Sequence, residues 1–513
     1  MGAERVIVVG AGVGGLVAAL ELSARGAEVV VVERQATPGG KMREQTVAGQ
    51  TLDVGPTVLT MRWVFDELFD ETGGCFEAAV GLRPVEILAR HAWSGNERFD
   101  LYADIDRTAD EIGALAGPRE ALGYRRFCER TRRIYEVLEQ PFLRASGPSP
   151  LGLVRAAGFR GIRDLWRIQP FLPMWSALGR YFEDPRLRQL FGRYATYVGS
   201  SPFLAPATLM LIAHVEREGV WLVEGGVHRI ARALAERAEE LGAGFRYGVG
   251  VDEITFEGDR VSGVRLASGE RLAADRVVAN ADAAALAAGR LGARAARAIR
   301  PIPPTERSLS AITWAMSARA EGLALARHSV FFSGNSRAEF EDLFGRGRLP
   351  EDPTVYVCAQ DREGLDRPGP SGPERLFCLV NAPARGDGRP LGAAEVERCT
   401  NRMLERLSHC GLRLEPSPEK TVVTTPADFE RLFPATGGAL YGTISHGWRA
   451  TFRRPGVRTA IPGLYLAGGS THPGAGVPMA ALSGRMAAAA VLSDLASTSR
   501  SRATATSGGT STR

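Results

Sequence analysis

The stretch RVIVVGAGVGGLVAALELSARGAEVVVVE, residues 5–33, decides the fold. A short β-branched run leads into Gly10, Gly12 and Gly15, a run with apolar residues at helical spacing follows, and a valine run ends at Glu33. This order predicts the βαβ unit that binds a dinucleotide. Gly10 permits a tight turn, Gly12 lets the backbone approach the pyrophosphate, and Gly15 lets the helix pack closely on the strand. The helix N-terminus favours the phosphates, and Glu33 can accept hydrogen bonds from the ribose hydroxyls.

Composition narrows the class of protein. A chain of 513 residues exceeds the usual size of a single core, which favours two domains. The net charge of +5 is small for this length, and we find no nucleic-acid-binding module, so no nucleic-acid partner is expected. The six cysteines form no CxxC pair, and no metal site is predicted. No stretch reaches the roughly 18 apolar residues of a membrane span, so we expect a soluble or surface-bound protein.

The dinucleotide fingerprint alone does not distinguish NAD from FAD, and the next stretch, ERQATPGGKMREQTVAGQTLDVGPTVL, helps to do so. Its PGGK and GPT segments suggest a chain that turns back along the cofactor, and the run resembles the FAD-dependent amine-oxidase and carotenoid-desaturase superfamily. The resemblance implies FAD as the cofactor. It places the acid at the adenosine ribose, PGGK at the pyrophosphate and GPT near the flavin. Together with the first loop, the implied cofactor-binding residues are Gly10, Gly12, Gly14, Gly15, Glu33, Arg34, Gly39, Gly40, Lys41, Gly55, Pro56 and Thr57.

Two later stretches complete the resemblance. Residues 221–283 return to α/β patterning and are similar to the second part of the FAD domain, which implies that the backbone near Val251 meets the adenine. Near the C-terminus, GLYLAGGSTHPGAGVPMAALSGR (463–485) resembles the bacterial phytoene-desaturase-type carotenoid desaturases, in which this loop and helix meet the ribityl arm and the ring. Ser470 departs from the Asp or Glu of many members. The residues implied here are Gly469, Ser470, Gly476, Val477, Pro478 and Met479.

Within that family, GPTVLTMRWVFDELF (55–69) and FPATGGALYGTISHGWRATFRRP (433–455) look most like 1-hydroxycarotenoid 3,4-desaturases. This resemblance implies that a C3–C4 double bond is introduced into a 1-hydroxycarotenoid by hydride transfer to flavin. Three alternatives stay open. They are a phytoene or neurosporene desaturase, an amine or protoporphyrinogen oxidase with a shorter and more polar pocket, and a carotenoid isomerase or carrier that uses FAD without net redox.

No strong acid–base pair stands out, which fits a reaction in which a polyene delocalises positive charge and a weak base suffices. His446 is predicted to recognise the 1-hydroxyl. His472 is predicted to lie at the flavin ring, although it could simply hydrogen-bond the backbone. His214, Glu216 and Tyr441 are further polar candidates.

The predicted fold is α/β (α+β), with a Rossmann-like FAD-binding domain of the glutathione-reductase/amine-oxidase type and an inserted substrate domain of mixed sheet and helices. The FAD-binding domain takes residues 1–80, 221–300 and 426–492, the substrate domain 81–220 and 301–425, and a disordered tail 493–513.

The stretch from Leu151 to Phe191 combines arginines, tryptophans and helical spacing, which is typical of a helix lying on a membrane surface or of a layer over the substrate site. The implied partners are a lipophilic carotenoid, a membrane surface, and oxygen or a quinone as electron acceptor. The expected location is cytoplasmic, peripheral on the inner face of the cytoplasmic membrane.

Overall fold

The computed structural model describes residues 4–95, 97–147, 168, 170–362, 370 and 372–506. Within them the chain forms a parallel sheet flanked by helices and a second, mixed sheet, with a helical layer beside it. The predicted α/β class with a Rossmann-like part is confirmed.

The strand before the GAGVGG loop is the centre of a five-stranded parallel sheet. Val8 of this strand lies beside Val278 on one side and Val31 on the other, and all three are fully buried. Buried valine runs are typical of parallel strands covered on both faces. In spatial order the strands are Leu464–Leu466, Arg276–Ala279, Arg5–Val9, Glu28–Val32 and Gly244–Arg246. Three distant stretches of chain therefore build one sheet.

The helix Val13–Ala24 follows the first strand, as the spacing predicts, and packs against His228–Glu240 and the C-terminal helix Val477–Thr506. The contact with the C-terminal helix is very close: a Cβ at Gly484 would lie 2.3 Å from the carbonyl oxygen of Gly14. Only glycine at position 484 lets these two backbones approach so closely.

The C-terminal helix differs from the sequence prediction in two respects. Residues 493–506 continue the helix, whereas a disordered tail is predicted from residue 493 onward; residues 507–513 lie outside the described part of the chain. A helix already nucleated by buried residues extends readily through alanine-rich sequence. Its segment Val477–Ser497 is also long and apolar enough to cross a membrane, but half of its apolar window is buried inside the protein. We therefore describe it as a core helix.

Among the described residues the second sheet has eight strands, and of these only the pair His328–Phe331 and Ile87–Ala92 is parallel. Seven strands follow one path, in the order Leu412–Glu415, Ser310–Gly322, Glu374–Ala382, Val355–Ala359, His328–Phe331, Ile87–Ala92 and Arg98–Tyr102, and Thr421–Thr424 pairs with Ser310–Gly322.

Side chains alternate across this sheet. On the strand Glu374–Ala382, Cys378 and Val380 enter a core shared with the helix Ala393–His409, while Phe377 and Leu379 face a large cavity. Successive side chains of a strand point to opposite faces. The sheet therefore provides a hydrophobic core on one side and a cavity wall on the other.

A helical layer packs beside the cavity around stacked aromatic rings. Phe191 lies 4.7 Å from Phe127 and 4.9 Å from Phe182 between ring centroids. Of the predicted amphipathic stretch, residues 151–167 and 169 lie outside the described residues. The helices of this layer are Ile105–Ala116, Pro118–Leu138, Met174–Leu178, Pro185–Gly192 and Leu211–Arg217, with shorter helical turns at Glu139–Leu143, Arg193–Val198 and Ala207–Met210.

The remaining elements are short and connect these layers. Two pairs are Glu44–Val47 with Gln50–Asp53 and Leu82–Pro84 with Trp221–Val223, and a three-stranded sheet has the order Val251–Glu257, Arg260–Leu266 and Arg271–Ala273. The helical segments are Trp63–Glu71, Phe76–Val80, Ala283–Ala287, Ala293–Ala296, Pro304–Glu306, Ser336–Phe340, Glu341–Arg346, Pro418–Lys420, Pro426–Leu432 and Ala450–Arg453.

Candidate functional site

A cavity of about 850 Å³ runs from the carboxyl ends of the parallel strands to the face of the mixed sheet. Ligands of open α/β sheets bind outside the carboxyl ends of the strands. All but one of the predicted cofactor-binding residues line it: Gly10, Gly12, Gly14, Glu33, Arg34, Gly39, Gly40, Lys41, Gly55, Pro56, Thr57, Val251, Gly469, Ser470, Gly476, Val477, Pro478 and Met479.

Gly15 is the exception. A Cβ at this position would lie 2.2 Å from the carbonyl oxygen of Gly10, so the residue packs behind the loop. Gly10 itself has φ +99°, which favours glycine. The helix that starts at Val13 has no side-chain cap, so N–H groups of its first turn are available to a ligand at the cavity.

Glu33 holds the second strand to the first loop. Its Oε2 accepts a hydrogen bond from the backbone N–H of Ala11 at 2.7 Å, and its Oε1 accepts one from Gln35 at 2.8 Å. The side chain is buried, yet it borders the cavity. A carboxylate offers about four acceptor positions, so two remain for ribose hydroxyls.

The two glycine loops meet at Asn280. Its Nδ2 donates to the carbonyl oxygen of Ala467 at 3.0 Å, and its backbone N–H donates to Val9 at 2.8 Å. Its Oδ1 lies 2.6 Å from where a Cβ at Gly12 would be, and its Nδ2 lies 2.6 Å from a Cβ at Gly468. Sequence reasoning missed this bridge. The available signal was an amide at the carboxyl end of a parallel strand.

Ser470 and Asp282 shape the next part of the wall. The Ser470 hydroxyl accepts a hydrogen bond from the backbone N–H of Ala283 at 2.9 Å, and Asp282 caps the same helix by accepting from Ala284 at 3.0 Å. The Lys41 ammonium lies 3.5 Å from the Asp282 carboxylate. Asp282 and Ser470 both line the cavity, so this wall carries a carboxylate as well as a hydroxyl.

Arg454 is a buried cation at the same end of the cavity. Its guanidinium donates to the carbonyl oxygens of Gly469 at 3.0 Å, Tyr441 at 2.9 Å and Thr443 at 2.8 Å. Burial lowers the pKa of Arg454 to about 10, so the group stays charged at neutral pH. It joins the 441–443 segment to the C-terminal glycine loop.

The two predicted catalytic histidines do not line the cavity. His472 is fully buried, and its Nε2 donates to the carbonyl oxygen of Phe142 at 2.9 Å. His446 Nε2 accepts from the backbone N–H of Ser201 at 3.0 Å. Burial lowers the pKa of each to about 4, so both rings are neutral at pH 7. These backbone hydrogen bonds favour structural roles for both rings, and the site roles of His446 and His472 stay predictions.

Two polar groups interrupt the apolar wall instead. The Tyr356 hydroxyl lies 2.6 Å from Thr57 Oγ1 and 2.8 Å from His328 Nδ1. Glu216, which the sequence names only as a candidate, accepts from the Tyr197 hydroxyl at 2.7 Å. Of the other polar candidates, Tyr441 borders the cavity, whereas His214 is not among its lining residues.

Comparison with known protein families identifies the class of protein. The family model for flavin-containing amine oxidoreductases matches residues 175–492, and the model for NAD(P)-binding Rossmann-like domains matches residues 8–72. The chain belongs to the flavin-containing amine oxidoreductase family, and it is an FAD-dependent oxidoreductase. The predicted FAD cofactor is thereby confirmed. The glycine loops, the helix N-terminus and the Glu33 carboxylate fit the phosphates and ribose of that cofactor.

Within this family, the chain is similar to carotenoid desaturases over nearly its whole length. The chain is 52% identical to a hydroxyneurosporene desaturase of Rubrivivax gelatinosus, over 99% of this chain and 97% of the relative. It is 45% identical to a hydroxyneurosporene desaturase of Cereibacter sphaeroides, over 97% of this chain and 99% of the relative. It is 30% identical to a 1-hydroxycarotenoid 3,4-desaturase of a Flavobacterium, over 94% of this chain and 98% of the relative. The predicted membership of the carotenoid desaturases is confirmed.

Among solved structures, an oxidoreductase from Methanosarcina mazei matches with a TM-score of 0.59 at 17% identity, covering 94% of this chain and 99% of that one. Putrescine oxidase bound to putrescine matches with a TM-score of 0.57 at 16% identity, covering 96% and 99%. At these identities the likeness concerns the fold.

Proposed function

We propose that the protein is an FAD-dependent carotenoid desaturase that introduces a C3–C4 double bond into 1-hydroxycarotenoids of the 1-hydroxyneurosporene and 1-hydroxylycopene type. The observation that carries the proposal is a single cavity that joins the cofactor-binding loops to an apolar wall. The identity to hydroxyneurosporene desaturases over nearly the whole chain supports the choice of substrate.

The wall suits a long polyene. The sheet contributes Val330, Phe377 and Leu379, and the helix Leu211–Arg217 contributes Ile212 and Val215. A substrate with almost no polar groups is held by burial of apolar surface, at about 25 cal/mol per Å². The chain thereby fixes the reacting bond beside the cofactor and excludes water from it.

FAD supplies the hydride-accepting chemistry, and the chain's own residues supply position and electrostatics. The C-terminal helix begins at Val477 on the cavity, so the positive end of its dipole faces the cofactor. The Arg454 cation lies at the same end. Both features would stabilise negative charge on a cofactor held at this end of the cavity.

The proposal includes the cofactor contacts of the predicted residues and the division of the chain into domains. The FAD-binding domain comprises 1–80, 221–300 and 426–492, and the substrate domain 81–220 and 301–425. The parallel sheet supports this division because all its strands fall in the first set of ranges.

We also propose that the protein works on the inner face of the cytoplasmic membrane, because its substrate is lipophilic. The proposed electron acceptor is oxygen or a membrane quinone. An exposed apolar patch supports this. Phe171 and Leu204 are about half exposed, and the Phe171 ring lies 5.2 Å from Trp448, over which the guanidinium of Arg449 is placed at 5.2 Å. We call these four residues the Phe171–Trp448 patch. Aromatic and arginine side chains together are typical of membrane interfaces.

The test is expression in cells that accumulate 1-hydroxyneurosporene, followed by mass and absorption analysis of the pigments. Loss of two hydrogens with one added conjugated double bond supports the proposal. Desaturation of phytoene or neurosporene in place of the hydroxylated substrate would support the related desaturase, and an unchanged pigment mass would support an isomerase or carrier.

A further inference from the structure

Four polar residues form a cluster against the otherwise apolar part of the cavity: Arg193, Tyr194, Tyr197 and Glu216, here called the Arg–Tyr–Glu cluster. Glu216 is 2% exposed, but it borders the cavity together with Arg193 and Tyr197. Tyr194 lies behind them and does not contribute to the cavity surface. A buried polar cluster is costly unless its groups are paired, which makes its unpaired positions informative.

The hydrogen bonds leave capacity for a ligand. The Tyr197 hydroxyl donates to Glu216 Oε1 at 2.7 Å and accepts from Arg193 Nη2 at 3.2 Å, and the Tyr194 hydroxyl donates to Glu216 Oε2. A tyrosine hydroxyl accepts two hydrogen bonds and a carboxylate about four, so acceptor positions remain on both.

Donor capacity remains as well. In the part of the chain that the structure describes, the Arg193 guanidinium donates one hydrogen bond, to Tyr197, and Arg193 borders the cavity, so donors of this guanidinium remain for a ligand. An unpaired donor beside free acceptors is complementary to a hydroxyl group, which both donates and accepts.

The cluster lies next to the reacting end of the cavity. Tyr197 and Tyr356 both line this cavity. The Tyr356 hydroxyl in turn lies 2.6 Å from Thr57 Oγ1, in the GPT segment assigned to the flavin. All three residues line the same cavity.

In a 1-hydroxycarotenoid that reacts at C3–C4, the hydroxyl is two carbons from the reacting bond. The group that binds the hydroxyl must therefore lie close to the cofactor and cannot lie at the distant end of the cavity. The Arg–Tyr–Glu cluster meets this requirement, whereas His446, whose Nε2 is bonded to the backbone, does not line the cavity.

We propose that Arg193 and Tyr197, held by Glu216, bind the terminal hydroxyl of the substrate and determine the preference for hydroxylated carotenoids. The inference rests on the proposed function and adds the residues that select its substrate. The hydroxyl accepts from the Arg193 guanidinium and donates to the Tyr197 or Glu216 oxygen. A substrate without a hydroxyl leaves these buried groups unpaired, which is the strongest basis for rejecting it.

The test compares kcat/KM for 1-hydroxyneurosporene and neurosporene in the FAD-loaded enzyme. Tyr197→Phe should lower the ratio of the two values roughly 10- to 100-fold, the effect of one lost hydrogen bond to a charged network. The matched control is Tyr181→Phe, in the same helical layer beside Phe127, which lies outside the cluster and does not line the cavity; it should leave the ratio within about threefold of wild type. Arg193→Lys keeps the charge but not the guanidinium geometry, and it should lower the ratio as well.

Two further measurements distinguish a specific loss of hydroxyl binding from a general loss of protein structure. Bound FAD per chain should be unchanged in Tyr197→Phe, and the Kd for the hydroxylated product, obtained by absorption titration, should rise by the same factor as the ratio falls. An unchanged ratio in Tyr197→Phe and Arg193→Lys, or an equal loss for both substrates, would overturn the proposal. If the wild-type enzyme desaturates neither carotenoid, the proposed function fails, and this inference fails with it.

Discussion

Asn280 Nδ2 donates a hydrogen bond to the carbonyl oxygen of Ala467 at 3.0 Å, across 187 positions of sequence. Through this one amide the GAGVGG loop and the C-terminal glycine loop share a wall. The two loops do not form separate nucleotide sites. They line one cavity, because the strands that precede them both neighbour the strand Arg276–Ala279, which Asn280 directly follows.

Asn280→Asp should weaken FAD binding. The substitution replaces the donor to Ala467 with an acceptor and adds negative charge beside the phosphates. We expect a rise in the FAD Kd of roughly tenfold or more, equivalent to the loss of about 1.4 kcal/mol. Flavin fluorescence during titration of the apoprotein measures it. Asn401→Asp, at an exposed position of the helix Ala393–His409, should bind FAD like wild type.

Glu33→Gln should also raise the FAD Kd. The amide has one acceptor oxygen, so it cannot serve Ala11, Gln35 and the ribose hydroxyls together. An effect of about 1.5–3 kcal/mol is expected for hydrogen bonds to a charged group. Glu28→Gln, exposed at the start of the same strand, is the control. Equal affinities for the two variants would show that Glu33 does not bind the cofactor.

Gly484→Ala should destabilise the fold by about 1–3 kcal/mol, because its Cβ would lie 2.3 Å from the Gly14 carbonyl oxygen. Gly113→Ala is the matched helical control. Its Cβ would meet the nearest atom at 3.7 Å, and it should stabilise the protein by about 0.5–1 kcal/mol through helix propensity. Thermal unfolding of both variants gives the comparison, and a stable Gly484→Ala protein would contradict the packing described for the two helices.

Stability should fall in mild acid because of His472. Burial lowers the pKa of the folded ring to about 4 from an ordinary value of 6.5. The unfolded chain therefore binds a proton as the pH falls below about 6.5, whereas the folded protein does not until about pH 4, so up to about 3 kcal/mol is lost across this window. His472→Gln should retain a donor for Phe142 and flatten the dependence. Urea unfolding at pH 7 and pH 5 measures this.

His409→Gln, at the exposed end of a helix, is the control for that series. It should show the same pH dependence of unfolding as wild type. A His472→Gln variant that keeps FAD and the wild-type pH dependence would show that this ring does not cause the loss. Full desaturase activity in His446→Ala and His472→Gln would agree with the structural roles that their backbone hydrogen bonds indicate.

Membrane association should depend on the Phe171–Trp448 patch. Replacing Phe171 and Trp448 with serine removes the exposed aromatic surface, and we expect at least a severalfold loss of binding to anionic liposomes in flotation. Leu122→Ser, exposed at 59% on another helix, is the control and should float like wild type. No flotation of the wild-type protein would refute the proposed peripheral location.

The local patterns of the chain were sufficient to predict the first βαβ unit. The spacing of Gly10, Gly12 and Gly15 and the valine runs depend only on neighbouring residues, and the structure reproduces them. The convergence of the two glycine loops was also accessible, although only through resemblance to known proteins and not from spacing.

Other features depend on packing between distant elements. The Arg–Tyr–Glu cluster needs Arg193 and Tyr197, one turn apart, to meet Glu216 from a different helix. The contacts of the two predicted histidines depend on such packing as well. His446 and His472 lie in glycine-rich segments near the cavity, but the backbone directs their rings to Ser201 and Phe142, which no sequence pattern indicates.

The most direct test of the central claim is anaerobic reaction of the purified, FAD-loaded protein with 1-hydroxyneurosporene, followed by absorption of the flavin and mass of the pigment. The account predicts that bleaching of one flavin accompanies the loss of two hydrogens from one carotenoid molecule, with the new double bond at C3–C4. Full binding of the carotenoid without flavin bleaching, or with an unchanged pigment mass, would contradict it.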